Sequence, residues 1–364
     1  MRRPIATYTA ALALALFALA TAAADEPPAL RDAAPANKEQ IRALIAAAIK
    51  EGSVTYWDTI VQSNTNAALV EGFRAYYGLP ASFGVNYSLS TTAGMVTRVE
   101  QEVLANRVTI DVGAVASVPW AFEKAKAGQF MRYASPQYPA YEAAFANGLG
   151  KDGYFAFNGA YIFVPMWNPE RAQFKGTSWG DVIGAIPVGR MSMGDSSKSP
   201  TYLSTYIGLK QLLGLDYFKR LAAMKPVFIV RSEQIASQLV TGQNLLSFSG
   251  MPTRAYQANQ RGAKLQYIIP KEGVVLLPQS MFIVAGAPHP ASAKLWLDFI
   301  LSEPGQKILV DREALMSGRS GFKSPLPEYA PPIDSLNVIK VDWEKTSTAD
   351  MEKARTEWQD IFNP

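Results

Sequence analysis

The chain has 364 residues, of which 48% are apolar, 18% charged and 11% aromatic, with a formal net charge of +4, no cysteine and one histidine. That length exceeds what a single hydrophobic core usually serves, so two lobes are expected, and the apolar share excludes a disordered chain. Without cysteine there is no disulfide, thiolate nucleophile, iron–sulfur cluster, zinc ribbon or acylated N-terminal cysteine, and with His289 alone there is no multi-histidine metal centre.

Met1-Arg2-Arg3 is a short basic start, and residues 10–20 (AALALALFALA) form a compact apolar run ending in Thr21-Ala22-Ala23-Ala24. Residues 1–24 therefore read as a cleavable secretory signal, cut near Ala24. The run falls short of the about 20 apolar residues that a membrane-spanning helix needs, and no later stretch is long enough. The mature chain is expected to be exported, soluble and not membrane-embedded. Without Arg2 and Arg3 it carries 33 basic and 31 acidic residues, scattered with no Lys/Arg block. Nucleic-acid binding would need a concentrated basic face and is not expected.

Residues 25–36, rich in Pro and Ala, read as a flexible leader. Asn37 then caps a helix with Ile41, Leu44, Ile45 and Ile49 at helical spacing, stopped by Gly52. Strands are expected over 53–57, 85–89 and 109–115, separated by helices over 67–77 and 94–105. Strands alternating with helices of this length imply βαβ units and a parallel sheet. Residues 154–166 (YFAFNGAYIFVPM) form a long aromatic strand that breaks the rhythm. The alternation resumes with strands at 188–193, 227–230, 245–249, 265–269 and 280–285 and helices at 200–213, 232–241 and 291–301. This order suits two α/β units, the second inserted into the first. Lobe 1 would span 37–155 and 275–364, lobe 2 would span 156–274, and the hinge would lie near 154–164 and 265–275.

Several stretches carry a resemblance when taken in order. They are Glu51-Gly52-Ser53-Val54-Thr55-Tyr56, Phe73-Arg74-Ala75-Tyr76-Tyr77-Gly78, Thr109-Ile110-Asp111-Val112, Thr241-Gly242-Gln243 and Ile269-Pro270-Lys271-Glu272-Gly273. The last is residues 290–306, where Lys294-Leu295-Trp296-Leu297-Asp298-Phe299-Ile300 precedes Ser302-Glu303-Pro304-Gly305-Gln306. In these the chain resembles a periplasmic solute-binding protein of a bacterial ABC importer, in the cluster that includes ferric-iron, thiamine, phosphonate and sugar-phosphate binders. The resemblance implies two Rossmann-like lobes with a hinge, the type II periplasmic-binding-protein fold. It also implies a location in the periplasm, and delivery of a small-molecule solute to an ABC permease and its ATPase.

Open α/β sheets bind ligands beyond the carboxyl ends of their strands, where loops enter helix N-termini. Candidate contacts follow: Trp57 and Asp58 after the first strand; Ser90, Thr91 and Thr92 after the second; Ser196, Ser197, Ser199 and Thr201 opening the main helix of the second lobe; and Ser249, Gly250 and Arg254 opening another. Free backbone N–H groups and the helix dipole favour an anion at such places, although Ser and Thr are also good N-caps. Trp57 is placed to stack on a ligand or to pack at the sheet edge. Asp58 suits a ligand amine or a helix cap. Arg231 is placed for a two-pronged contact with a carboxylate or phosphonate or for a solvated surface, and Arg254 and Arg319 share that alternative.

Ferric binders resembling this chain use adjacent tyrosines in the second lobe with a carboxylate or histidine from the first. The corresponding loop here is Ser247-Phe248-Ser249-Gly250-Met251-Pro252, and Gly113-Ala114-Val115-Ala116 follows Asp111 without a carboxylate. Tyr76-Tyr77 is an adjacent pair on an early helix, where packing is the expected role. Hard ferric iron wants anionic oxygen ligands, so an iron receptor is the alternative, beside a ligand-sensing subunit for a signalling receptor. His289 lies between Pro288 and Pro290, and no nucleophile elbow or Walker A loop is present. No catalysis, metal or cofactor is expected. The expected function is that of a monomeric receptor for a small, anionic organic solute.

Overall fold

The computed structural model describes residues 26–362, so the expected signal segment lies outside the described residues. Among them, strands β1 (Ser53–Asp58), β2 (Gly84–Leu89), β3 (Val112–Val115), β4 (Phe155–Tyr161), β5 (Val164–Trp167), β6 (Met191–Gly194), β7 (Val227–Ile229), β8 (Leu246–Gly250), β9 (Gln266–Tyr267) and β10 (Leu277–Ile283) form two sheets. Their orders are β2-β1-β3-β10-β4 and β7-β6-β8-β5-β9.

The two orders are one pattern used twice. Three parallel strands come first, β2-β1-β3 or β7-β6-β8. Next lies an antiparallel strand that has arrived from the other lobe, β10 or β5, and then the strand by which the chain leaves, β4 or β9. Each sheet is thus closed by strands belonging to the crossings, which ties the hinge into both cores. The expected α/β class with two lobes is present.

Parallel neighbours need crossover helices. Of the helices up to the first crossing, α1 (Pro28–Arg31), α2 (Pro35–Glu51), α3 (Ser63–Tyr77), α4 (Thr92–Leu104), α5 (Val118–Lys126) and α6 (Glu142–Ala146), it is α3 and α4 that connect the parallel strands β1, β2 and β3. The second lobe adds α7 (Pro200–Leu213), α8 (Leu215–Ala223), α9 (Ser232–Thr241) and α10 (Pro252–Asn259). After the return come α11 (Pro290–Leu301), α12 (Glu303–Glu313) and α13 (Thr348–Phe362). Gly52 ends α2 at φ +76, a conformation glycine takes without steric cost. The first core gathers Phe73 of α3 edge-on to Trp296 of α11, ring centroids 5.0 Å apart, with Tyr56 of β1 5.3 Å from the same indole.

Three segments differ from expectation. The leader is structured: Ala29 and Leu30 are buried, and α1 packs on α3, because this apolar pair finds a surface that its Pro-rich flanks do not reveal. The aromatic run 154–166 is two strands in different sheets, parted at Ile162-Phe163, since it crosses between the lobes. The end of the chain also crosses. α13 packs on α7 and α8 of the second lobe, with Trp358 5.0 Å and Phe362 5.7 Å from Phe228, rather than lying with the first lobe.

Asp298 of α11 is a buried carboxyl that fastens the segment before the 3₁₀ turn Tyr138–Tyr141. It accepts from Tyr133 Oη at 2.6 Å and Ser135 Oγ at 2.5 Å, and burial pushes its pKa up to about 7. The unfolded carboxyl releases its proton near pH 4. The folded chain therefore binds more protons between those values, and the stability contributed at low pH is lost as pH rises through about 7. Urea titrations should show wild-type stability falling by about 4 kcal/mol between pH 4 and pH 8 relative to Asp298→Asn. Parallel pH profiles for the two proteins would mean that the carboxylate is charged throughout.

Candidate functional site

The carboxyl ends of the parallel strands in both sheets open onto one cleft. Thr59 and Ile60 follow β1, Ser90 to Ala93 follow β2, and Lys198 to Tyr202 follow β6 on the opposite wall. Val230 to Glu233 follow β7, and Met251 and Arg254 follow β8. The local sequence makes these loops stop where they do. Ser199 precedes Pro200, which holds Ser199 extended (φ −125°, ψ 116°) and starts α7 with no wasted N–H. Ser199 Oγ then accepts from the Tyr202 amide at 3.5 Å, and Thr91 Oγ1 caps α4 by accepting from Gly94 at 3.1 Å. α9 and α10 begin on the same rim, so four helix N-termini border the cleft.

The walls touch. Thr92 Oγ1 lies 3.1 Å from Thr201 Oγ1, and Thr201 Oγ1 also donates to the Ala116 carbonyl at 3.2 Å. The cavity left between them is about 90 Å³, well under the about 300 Å³ at which pockets for drug-sized ligands begin. Its floor comes from the crossing. Tyr161 ends β4, Phe163 follows, and the Tyr202 ring lies against Phe163 with centroids 4.5 Å apart. Burial pushes both the Tyr161 and Tyr202 phenols above their ordinary range.

Positive charge stands on the second-lobe wall. Arg254 is buried, with Nε donating to Ser232 Oγ at 3.1 Å, Nη1 to Gln257 Oε1 at 2.7 Å, and Nη2 at 2.9 Å from Glu233. Arg231 is half exposed, with Nε 3.8 Å from the other Glu233 oxygen.

Of the residues expected to touch a ligand, the cleft brings together Ser90, Thr91, Thr92, Ser199, Thr201, Arg231 and Arg254. The others lie elsewhere. Trp57 packs beneath Arg98, whose guanidinium carbon is 5.9 Å from its ring centre. Asp58 is fully buried and caps the loop after β1, accepting from the Ile60 and Val61 amides at 2.7 and 2.8 Å. Ser197 turns to Asp195, which accepts from its amide at 3.0 Å, while Arg355 donates to the Ser197 and Ser196 carbonyls. Ser249 and Gly250 are buried in β8, with no room for a side chain at Gly250 against Met166. Arg319 holds Gln137 and the Leu301 carbonyl in the first lobe, and Tyr76 packs edge-on to Tyr77 at 5.0 Å. Among the lining residues that were not expected are Tyr161, Phe163, Lys198, Tyr202 and Glu233; Lys198, Tyr202 and Glu233 each lie within two residues of an expected contact in sequence, whereas Tyr161 and Phe163 do not.

The sequence profile of the bacterial extracellular solute-binding proteins matches residues 108–335, well over half of the chain. The chain belongs to that family. No curated protein matches this solute-binding protein. Solved structures share its fold. The periplasmic binding protein AfuA from Actinobacillus pleuropneumoniae, with fructose-6-phosphate bound, has 19% identity and a TM-score of 0.73, covering 85% of this chain and 98% of its own. Iron-bound HitA from Pseudomonas aeruginosa has 16% identity and a TM-score of 0.70, covering 85% of this chain and 99% of its own. Trichodesmium IdiA (FutA), in complex with iron and citrate, has 17% identity and a TM-score of 0.62 over the same shares.

One glycine shapes the floor of the cleft. A Cβ at Gly194, the last residue of β6, would stand 2.2 Å from Tyr202 Cδ1. Gly194→Ala should therefore cost about 1–3 kcal/mol by overpacking, and well under 1 kcal/mol when Tyr202 is already alanine. Denaturation of the two single variants and the double variant measures the coupling; additive costs would mean that the ring has somewhere else to go.

Proposed function

We propose that this solute-binding protein captures a small organic anion in the periplasm and delivers it, chemically unchanged and as a monomer, to an ABC permease and its ATPase. The observation that carries this reading is the meeting of four helix N-termini with the guanidinium groups of Arg231 and Arg254 on one cleft. Unpaired N–H groups and helix dipoles favour negative charge, and a guanidinium fork matches a carboxylate or phosphate. Hydroxyls of Ser90, Thr91 and Ser199 suit a hydroxyl-bearing solute. The fructose-6-phosphate held by AfuA is an anion of this kind. A solute touching both walls would favour the closed form through its greater affinity for it.

Ferric iron has less behind it. The two phenols of the cleft are pushed by burial away from the tyrosinate that hard iron wants. A thermal-shift screen separates the readings, because a ligand at a hundredfold excess over its Kd stabilises the native state by about 2.7 kcal/mol. Carboxylates, phosphonates or sugar phosphates should raise the midpoint, and Arg231→Gln should weaken that binding at least about threefold. A rise confined to ferric salts, thiamine or polyamines would overturn the anionic reading.

A further inference from the structure

Arg254 is the most confined charge of the cleft, with its side chain 3% exposed. Three partners divide its edges, and two of them are fixed. Ser232 opens α9, and Gln257 is held from behind by the buried Glu313, whose Oε2 accepts from Gln257 Nε2 at 2.6 Å. Glu233 differs from both. Its side chain is 39% exposed, it lines the cleft, and its two oxygens lie 2.9 Å from Arg254 Nη2 and 3.8 Å from Arg231 Nε. A single carboxylate therefore stands between the two arginines of the site. That is where a solute oxyanion must lie to reach both guanidinium groups.

We propose that Glu233 is an exchangeable internal counter-anion: a carboxylate, phosphonate or phosphate group of the solute takes its place between Arg254 and Arg231, and Glu233 turns out to solvent. This rests on the anionic reading above and sharpens it into a rule of specificity. Only a solute whose oxyanion can span both guanidinium groups displaces the carboxylate. Neutral solutes of the same size leave Glu233 seated and the cavity small. Glu233 sits in the first turn of α9, where the helix dipole favours its charge whether or not it keeps its arginine partners.

The test is calorimetry and thermal shift on the exported chain without its signal segment, comparing wild type with Glu233→Gln and Glu233→Ala at fixed ionic strength. The probes are inorganic phosphate, methylphosphonate, succinate and fructose 6-phosphate, with neutral fructose as control. Whichever anionic probe binds the wild-type chain should bind both variants about three- to tenfold more tightly, with no change for fructose. Weaker binding in both variants would mean that Glu233 grips the solute. Equal binding would mean a bystander ion pair. Either result overturns the exchange and leaves the anionic reading standing. If no anionic probe binds the wild type or either variant at millimolar concentration, the anionic reading fails and the exchange with it.

Discussion

A carboxylate with no exposure at all, Asp58, sits where the first lobe meets both crossings. It accepts from the hydroxyl of Tyr56, the amides of Ile60 and Val61, Asn158 Nδ2 at 3.1 Å and Gln279 Nε2 at 2.7 Å. A buried charge is tolerable only when its lone pairs are filled, so these donors cannot drift apart cheaply. Asn158 belongs to β4 and Gln279 to β10, the two strands that connect the lobes. The loop carrying Thr59 and Ile60 into the cleft is thereby built on the hinge strands. The residue expected to reach a ligand instead holds in place the loop that borders the cleft.

The second lobe depends on the first in the same way. Arg254 is aimed by Gln257, and Gln257 by Glu313 of α12, which also accepts from the Gln62 amide at 2.7 Å. Tyr256 Oη donates to the Asp311 carbonyl at 2.7 Å, so α10 rests on α12 across the back of the cleft. At the front, Thr92 and Thr201 meet through their hydroxyls. The two lobes are therefore in contact both behind the cleft, through α10 and α12, and at its front, through the two threonines.

Most of this architecture follows from rules that act locally along the chain. Alternating strand and helix periods, glycine stops and hydroxyl caps place Ser90 to Thr92 and Ser199 on a rim, because a strand end leading to a helix N-terminus is a short-range event. What failed was long-range or was captured by a nearer partner. Ser197 is in the right loop, but Asp195 two residues away claims its amide. Tyr161 falls inside the expected strand 154–166 and Tyr202 inside the expected helix 200–213, and only the crossing of the chain brings them beneath the same cavity. The docking of α13 on the second lobe depends on Trp358 and Phe362 meeting Phe228, more than a hundred residues away, which no periodicity encodes.

Exchange of one carboxylate for another also resolves a conflict in the energetics of the site. A buried guanidinium is costly whenever it stands unpaired, because desolvation of the charge is then uncompensated. A receptor that waits for its solute with Arg254 bare would bear that cost in every unoccupied molecule. With Glu233 in place the charge is paired before the solute arrives, and the incoming oxyanion inherits a site already stripped of much of its water. The gain on binding is then a difference between two similar ion pairs, so among solutes whose oxyanion can make the exchange, discrimination rests on the rest of the molecule: its fit to the Tyr161 and Tyr202 floor and to the hydroxyls of both walls. Tight closure between Thr92 and Thr201 makes that fit demanding, since the space between the lobes admits only a compact guest unless Glu233 has moved away.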